Sequence, residues 1–220
     1  RGAGTLITSD VRSVNVAADS AHWSAGSGMI WFDADSVVQA SGSTVLTWNA
    51  SVGGSVATVD QAAVTNDLYR PKLVRNSVNG RNQIYFNGGA TGSTNSAQGS
   101  WMNFTDPNTF FALDTSNRAY TLINNAQFAE TGSWRYTTSV GSFSQGLGSG
   151  AVGFGVETTG TALFALQHQA APYLTPANSN SLGTQILASH VYTPGTQQLY
   201  ANGKLVGSQS INYSIILGVG

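Results

Sequence analysis

Asp33 and Asp35, spaced i, i+2 in Phe32-Asp33-Ala34-Asp35, are the nearest carboxylate pair in the chain. In extended backbone that spacing turns both side chains to one face. Two carboxylates about 5 Å apart can act as acid and nucleophile on a glycosidic bond. Here, however, an apolar run gives way to turn residues, where aspartate bonds back to its own backbone, so turn chemistry is the stronger reading. The same residues also bear on cation binding. Calcium takes about six to eight oxygens, and Asp33, Asp35 and Asn87 with neighbouring carbonyls are the candidate ligands for Ca2+.

The remaining chemistry is sparse. The two glutamates, Glu130 and Glu157, each lack a carboxylate two residues away, so the paired-carboxylate signature of a glycosidase is missing. With no cysteine, disulfides, thiolate-metal sites and a cysteine nucleophile are excluded. His22, His168 and His190 share no metal-ligand spacing and read as strand or loop residues. Gly146-Leu147-Gly148-Ser149-Gly150 lacks the lysine and following helix of a phosphate loop, and no serine elbow lies between an apolar strand and a helix. The chain therefore reads as no enzyme.

Binding chemistry is better represented. Trp101 follows a Gly/Ser/Asn loop, and Trp134, Arg135 and Tyr136 follow Gly132, so these four are candidates for contacting sugar rings at a loop rim. Trp31, Phe32, Trp48 and Phe86 sit in apolar runs and read as core. Arg70, Lys72, Arg75 and Arg81 place four of the nine basic residues in one strand-turn segment. Edge charges that oppose sheet-to-sheet aggregation explain them better than a phosphate or acidic-sugar site.

These residues need elements to position them. Charged residues are 9% of the 220, against roughly 25% in ordinary globular chains, while aromatics reach 10% and apolar residues 41%. That composition suits short strands and many turns, and it argues against disorder. A formal net charge of −1 gives no global attraction to nucleic acid or an anionic membrane. No apolar run approaches the roughly 20 residues a membrane-spanning helix needs, so no membrane insertion is expected of this chain. Residues 1–28 read as an extended lead-in or linker, and 29–220 as one domain.

Within that domain, strand-like runs fall at 29–32, 45–48, 72–75, 83–89, 109–113, 119–123, 133–137, 151–157, 161–167 and 183–192. A final hairpin, 197–208, turns on Asn202-Gly203, a pair suited to the positive φ angles of a type I′ turn. No helical period persists. The expectation is an all-β antiparallel sandwich or barrel.

Several segments, taken in order, resemble concanavalin A-like and laminin-G-like jelly-roll domains. Ile30-Trp31-Phe32-Asp33-Ala34-Asp35 followed by residues 45–49 is similar to that family's opening strand, aspartate and Trp-Asn step. Arg70-Pro71-Lys72-Leu73-Val74, Val78-Asn79-Gly80 and Ile84-Tyr85-Phe86-Asn87-Gly88 are similar to its next strand pair, and residues 199–206 to its late hairpin. The resemblance implies a two-sheet antiparallel jelly-roll sandwich. It further implies a non-catalytic extracellular module, secreted or at the cell surface, whose adhesion partner is a glycan or surface polymer.

Two departures stand out. Asn87-Gly88-Gly89-Ala90-Thr91 lacks the aspartates the family often carries there, which counts against a calcium site at that loop. The chain also ends at Gly220 without the family's apolar closing strand, so the expectation is either that the protein continues beyond this chain, the stronger reading, or that an open C-terminal edge pairs with other subunits. The alternative reading is therefore a structural subunit of a surface filament, sheath or virion, assembled through protein-protein contacts.

Overall fold

The late hairpin forms where its turn chemistry puts it. Asn202 and Gly203 take φ angles of 50° and 79°, the left-handed pair that a type I′ turn requires. In the computed structural model, which describes residues 29–59, 67–87, 102–104, 119–129, 135–141, 151–156, 161–167, 174 and 176–210, this turn joins two strands of an all-β chain. Only the backbone is described for 78, 135–141, 151–154 and 164–167.

The strands are β1 (Thr47–Asn49), β2 (Val56–Thr58), β3 (Lys72–Val78), β4 (Arg81–Tyr85), β5 (Asn103–Phe104), β6 (Tyr120–Gln127), β7 (Arg135–Gly141), β8 (Ala151–Val156), β9 (Leu163–Gln167), β10 (Gln185–Thr193), β11 (Thr196–Ala201) and β12 (Lys204–Ser210). Single turns of 3-10 helix cover Ala34–Ser36 and Asp67–Tyr69, and every strand pairing is antiparallel. Among the described residues there is no α-helix. The all-β, antiparallel expectation therefore holds.

The chain divides into two compact units, the first carrying β1 to β5 and the second β6 to β12. In the first unit, β2 lies between β1 and β5, while β3 and β4 form a hairpin. Asn79 and Gly80, at φ 51° and 76°, make the hairpin turn. Its ladder is interrupted: Lys72, Leu73 and Val74 pair with Tyr85, Ile84 and Gln83, the register then shifts, and Val78 faces Arg81.

Val37, Val45 and Leu73 are buried together in that unit, with Trp48, Ile84 and Met102 packed around them. Phe32 lies 5.3 Å from Trp48 and 6.2 Å from Phe104 between ring centroids, a tilted and an edge-on contact. Near Trp31, which bridges to Val52, the backbone passes so closely that a Cβ on Gly53 would stand 2.3 Å from the Met29 carbonyl oxygen. Only glycine fits there, and its φ of 90° leads to the same choice.

In the second unit the sheet order is β12-β11-β10-β6, with a separate β7-β8-β9 meander. Period-two burial runs along β10, turning Ile186, Ala188, His190 and Tyr192 inward. From β11 the inward residues are Gln197 and Leu199, and β6 contributes the half-buried Tyr120, Leu122, Asn124 and Ala126. Leu163 of β9 joins Ile186, Ala188 and Leu199 in one buried cluster, with Leu122, Phe128, Leu174, Ala201 and Val206 against it. One face of the four-stranded sheet is thus apolar at one end and polar-aromatic at the other.

Some expectations differ from the fold. The apolar run at 29–32 forms only the Trp31–Val52 bridge, because Phe32 packs into the aromatic cluster instead of pairing along a ladder. Phe86, read as core, lies just past the end of β4 and is 41% exposed. The runs at 1–28, 109–113 and 211–220 lie outside the described residues.

Candidate functional site

Asp33 and Asp35 are brought together by turn chemistry. Asp33 caps the Ala34–Ser36 turn: its Oδ1 accepts from the Asp35 amide at 3.0 Å, and its carbonyl accepts from Ser36 Oγ and Trp48 Nε1. Asp35 reaches across to the tip of the β3–β4 hairpin. Its Oδ1 accepts from the Asn82 amide at 2.7 Å, and its Oδ2 lies 2.7 Å from Arg81 Nε. A guanidinium therefore stands beside the carboxylate that the calcium reading offers to a cation. Asn87 points its amide elsewhere, donating to the Leu68 carbonyl at 3.1 Å. Among the described residues no three His, Cys, Asp or Glu side chains converge as a metal site.

Trp101 and Trp134 lie outside the described residues. Arg135 and Tyr136 open β7 opposite Val156 and Gly155, with backbone alone described. The clustered basic residues of the first unit are all engaged. Arg81 holds Asp35, the Arg75 Nε donates to the Gln39 carbonyl at 2.6 Å, and Lys72 and Arg70 both approach Asp67.

Asp67 is the hub of a second constellation, which the sequence did not single out. Its Oδ2 is 2.6 Å from Lys72 Nζ, its Oδ1 accepts from Thr44 Oγ1 at 3.0 Å, and Lys72 Nζ also donates to Thr44 Oγ1 at 3.1 Å. The hydrogen bond from Lys72, then that from Thr44, holds the Asp67 carboxyl below its ordinary value of 3.8. Directly across the ladder from Lys72 is Tyr85, 50% exposed, followed by Phe86 and the Asn87 that is tied to Leu68. Leu68 itself is 69% exposed.

Tyr85 and Phe86 are thus exposed aromatic residues at the end of β4, Tyr85 paired across the ladder with the Lys72 that bonds Asp67, and Phe86 next in sequence to Asn87. Aromatic faces offer flat apolar surface for ligand rings, and the polar groups offer donors and acceptors to hydroxyls. The strand run Ile84-Tyr85-Phe86 hid this, since an unbroken apolar run suggests burial. The usable signal was alternation: with Ile84 inward opposite Leu73, Tyr85 has to face outward.

The buried polar end of the second unit has different chemistry. His190 is fully buried, and that burial pushes its imidazole down to about 4, opposed by a hydrogen bond with Gln197. Gln197 Nε2 also donates to Gln209 Oε1 at 2.7 Å. The Tyr120 ring meets His190 edge-on at 5.5 Å and Tyr192 at 5.2 Å, and burial with Tyr192 nearby raises the Tyr120 phenol. These groups pack together as a buried polar cluster, in which Tyr120 Oη has no hydrogen-bond partner among the described residues.

No protein-family model, curated protein or solved structure matches this chain.

Proposed function

We propose that this chain is a non-catalytic extracellular recognition module of concanavalin A-like jelly-roll form, binding a glycan or other surface polymer. The observation that carries the reading is the exposure of Tyr85 and Phe86, with Tyr85 paired across the ladder with the Lys72 that holds Asp67. A pyranose presents an apolar face and a rim of hydroxyls, and this stretch supplies a counterpart to each. The two-sheet packing in the second unit, where Leu163 of one sheet meets Ile186 and Leu199 of the other, supports the sandwich form.

The test is a glycan array read with the wild-type chain and with Tyr85→Ala and Phe86→Ala. Each substitution is expected to weaken binding by about tenfold. Binding that survives both but disappears with Trp101→Ala or Trp134→Ala moves the site to the loop rim. Failure of the wild-type chain to bind any glycan or polymer removes the reading.

The alternative, a subunit of a filament, sheath or virion, draws on the outer face of the four-stranded sheet. Ile123, Leu187 and Leu205 are all exposed there, and Tyr200 faces Leu205 across the ladder. Concentration-dependent self-association that Leu187→Lys abolishes, with no glycan bound, would favour it.

A further inference from the structure

Three Asn-Gly pairs occur in the sequence: Asn79-Gly80, Asn87-Gly88 and Asn202-Gly203. Such pairs share a latent reaction. The amide nitrogen of the glycine attacks Cγ of the asparagine, a C–N bond forms, ammonia leaves, and a five-membered succinimide remains. Water then opens the ring at either carbonyl, giving aspartate or isoaspartate. The balance is one water in and one ammonia out. The absence of a glycine side chain eases the attack, and the fold decides how often the geometry is reached.

We propose that Asn79-Gly80 is the chain's spontaneous modification site and that the fold protects the other two pairs. The carboxamide of Asn202 is held: its Oδ1 accepts from the Leu187 amide at 2.9 Å, while its own amide donates to the Leu187 carbonyl at 2.8 Å. Two ladder pairs, Ala201–Lys204 and Tyr200–Leu205, close the strands directly behind that turn. The Asn87 carboxamide is held by its bond to Leu68. Asn79 is exposed, and among the described residues its carboxamide has no hydrogen-bond partner.

The turn behind Asn79 is also weaker. Val78–Arg81 is its single ladder pair before the register shift that separates it from Val74–Gln83, and the irregular stretch, with Asn76 at φ 51°, is spanned by exposed bonds from the Asn76 amide to Asn82 Oδ1 and from Ser77 Oγ to Gln83 Oε1. Ring closure needs a backbone geometry that a closed type I′ turn does not offer, so the rate follows turn opening. Opening is easiest where few bonds must break.

Conversion would place a new carboxylate two residues before Arg81, in competition with Asp35 for the guanidinium. The isoaspartyl product also adds a methylene to the backbone, which a two-residue turn cannot hold. The β3–β4 hairpin is therefore the element that ageing loosens.

The experiment incubates the whole folded chain at mildly alkaline pH in 18O water, then digests it after Arg and Lys. Cleavage at Arg75 and Arg81 isolates Asn79 in its own peptide. Mass spectrometry is expected to find 18O first at Asn79, with Asn202 and Asn87 slower by about tenfold or more, the ratio that one extra hydrogen bond to be broken implies. In urea the three rates are expected to converge. Equal rates in the folded chain would overturn the proposal, and so would a ratio that persists unchanged in urea, since sequence rather than fold would then set it.

Discussion

The two units satisfy their polar groups in opposite ways. In the first, charged side chains near the surface clip distant segments together: Asp35 holds Arg81 and the Asn82 amide, and Asp67 holds Lys72 and Thr44. Its strands β1, β2 and β5 run only two or three residues, so side-chain clips do work that ladders cannot. In the second, a continuous ladder of eight residue pairs joins β10 to β6, and the sheet buries neutral polar groups such as His190 and Gln197. Exposed ion pairs contribute little because water and salt screen them, and they remain available to solvent. The buried polar groups of the second unit are instead packed against the apolar cluster and closed to solvent. The contrast puts exposed charged and aromatic side chains in the first unit and the longer ladder with its buried cluster in the second.

The strongest challenge to that division is a core truncation. Leu199 is fully buried in the cluster that joins two sheets, so Leu199→Ala is expected to cost about 2–5 kcal/mol in urea unfolding. Asp35→Ala removes acceptors from Arg81 and Asn82, and its cost is expected to stay near 1 kcal/mol. If the clip proved costlier than the core leucine, stability would not reside where the contrast puts it.

A smaller effect comes from His190. Its folded value, about 4, lies below the ordinary 6.5, so between these limits the unfolded chain binds more protons than the folded one. Stability is therefore complete above pH 6.5 and falls as the pH drops toward 4. The loss is on the order of 3 kcal/mol. His190→Leu is expected to flatten this part of the pH-stability profile, whatever it does to stability at pH 7. A wild-type profile flat from pH 7 to 4 would mean that the imidazole is not buried in solution.

Much of this fold can be read from local signals. Asn202-Gly203 announces a hairpin because the turn needs nothing beyond its own φ angles, and the Tyr120, Leu122, Asn124 and Ala126 alternation needs only a pleat. The site was less legible. Asp35 and Asn82 are 47 residues apart, and nothing local tells an aspartate that it will reach the tip of a distant hairpin. Asp33 was legible as a turn former because an Asx turn is itself local. Phe86 misled because exposure depends on where β4 stops, and strand ends are set by tertiary packing rather than by the apolar run that leads into them.

The smallest expected effect tests the surface half of the contrast. Asp67 titrates below 3.8 because hydrogen bonds from Lys72 and Thr44 favour its charged form, so its contribution to stability is present above 3.8 and lost as the pH falls through the lower folded value. The clip is solvent-exposed, and raising salt to about 1 M shrinks the screening length to about 3 Å. Carboxyl NMR should then show the Asp67 titration moving upward with salt, while the His190 acid limb, set by burial, stays in place. Lys72→Met should move the Asp67 midpoint upward by itself, since it removes the largest cause of the shift. A midpoint indifferent to both salt and Lys72→Met would mean that the clip does not form in solution, leaving Tyr85 without an ordered charged neighbour across the ladder.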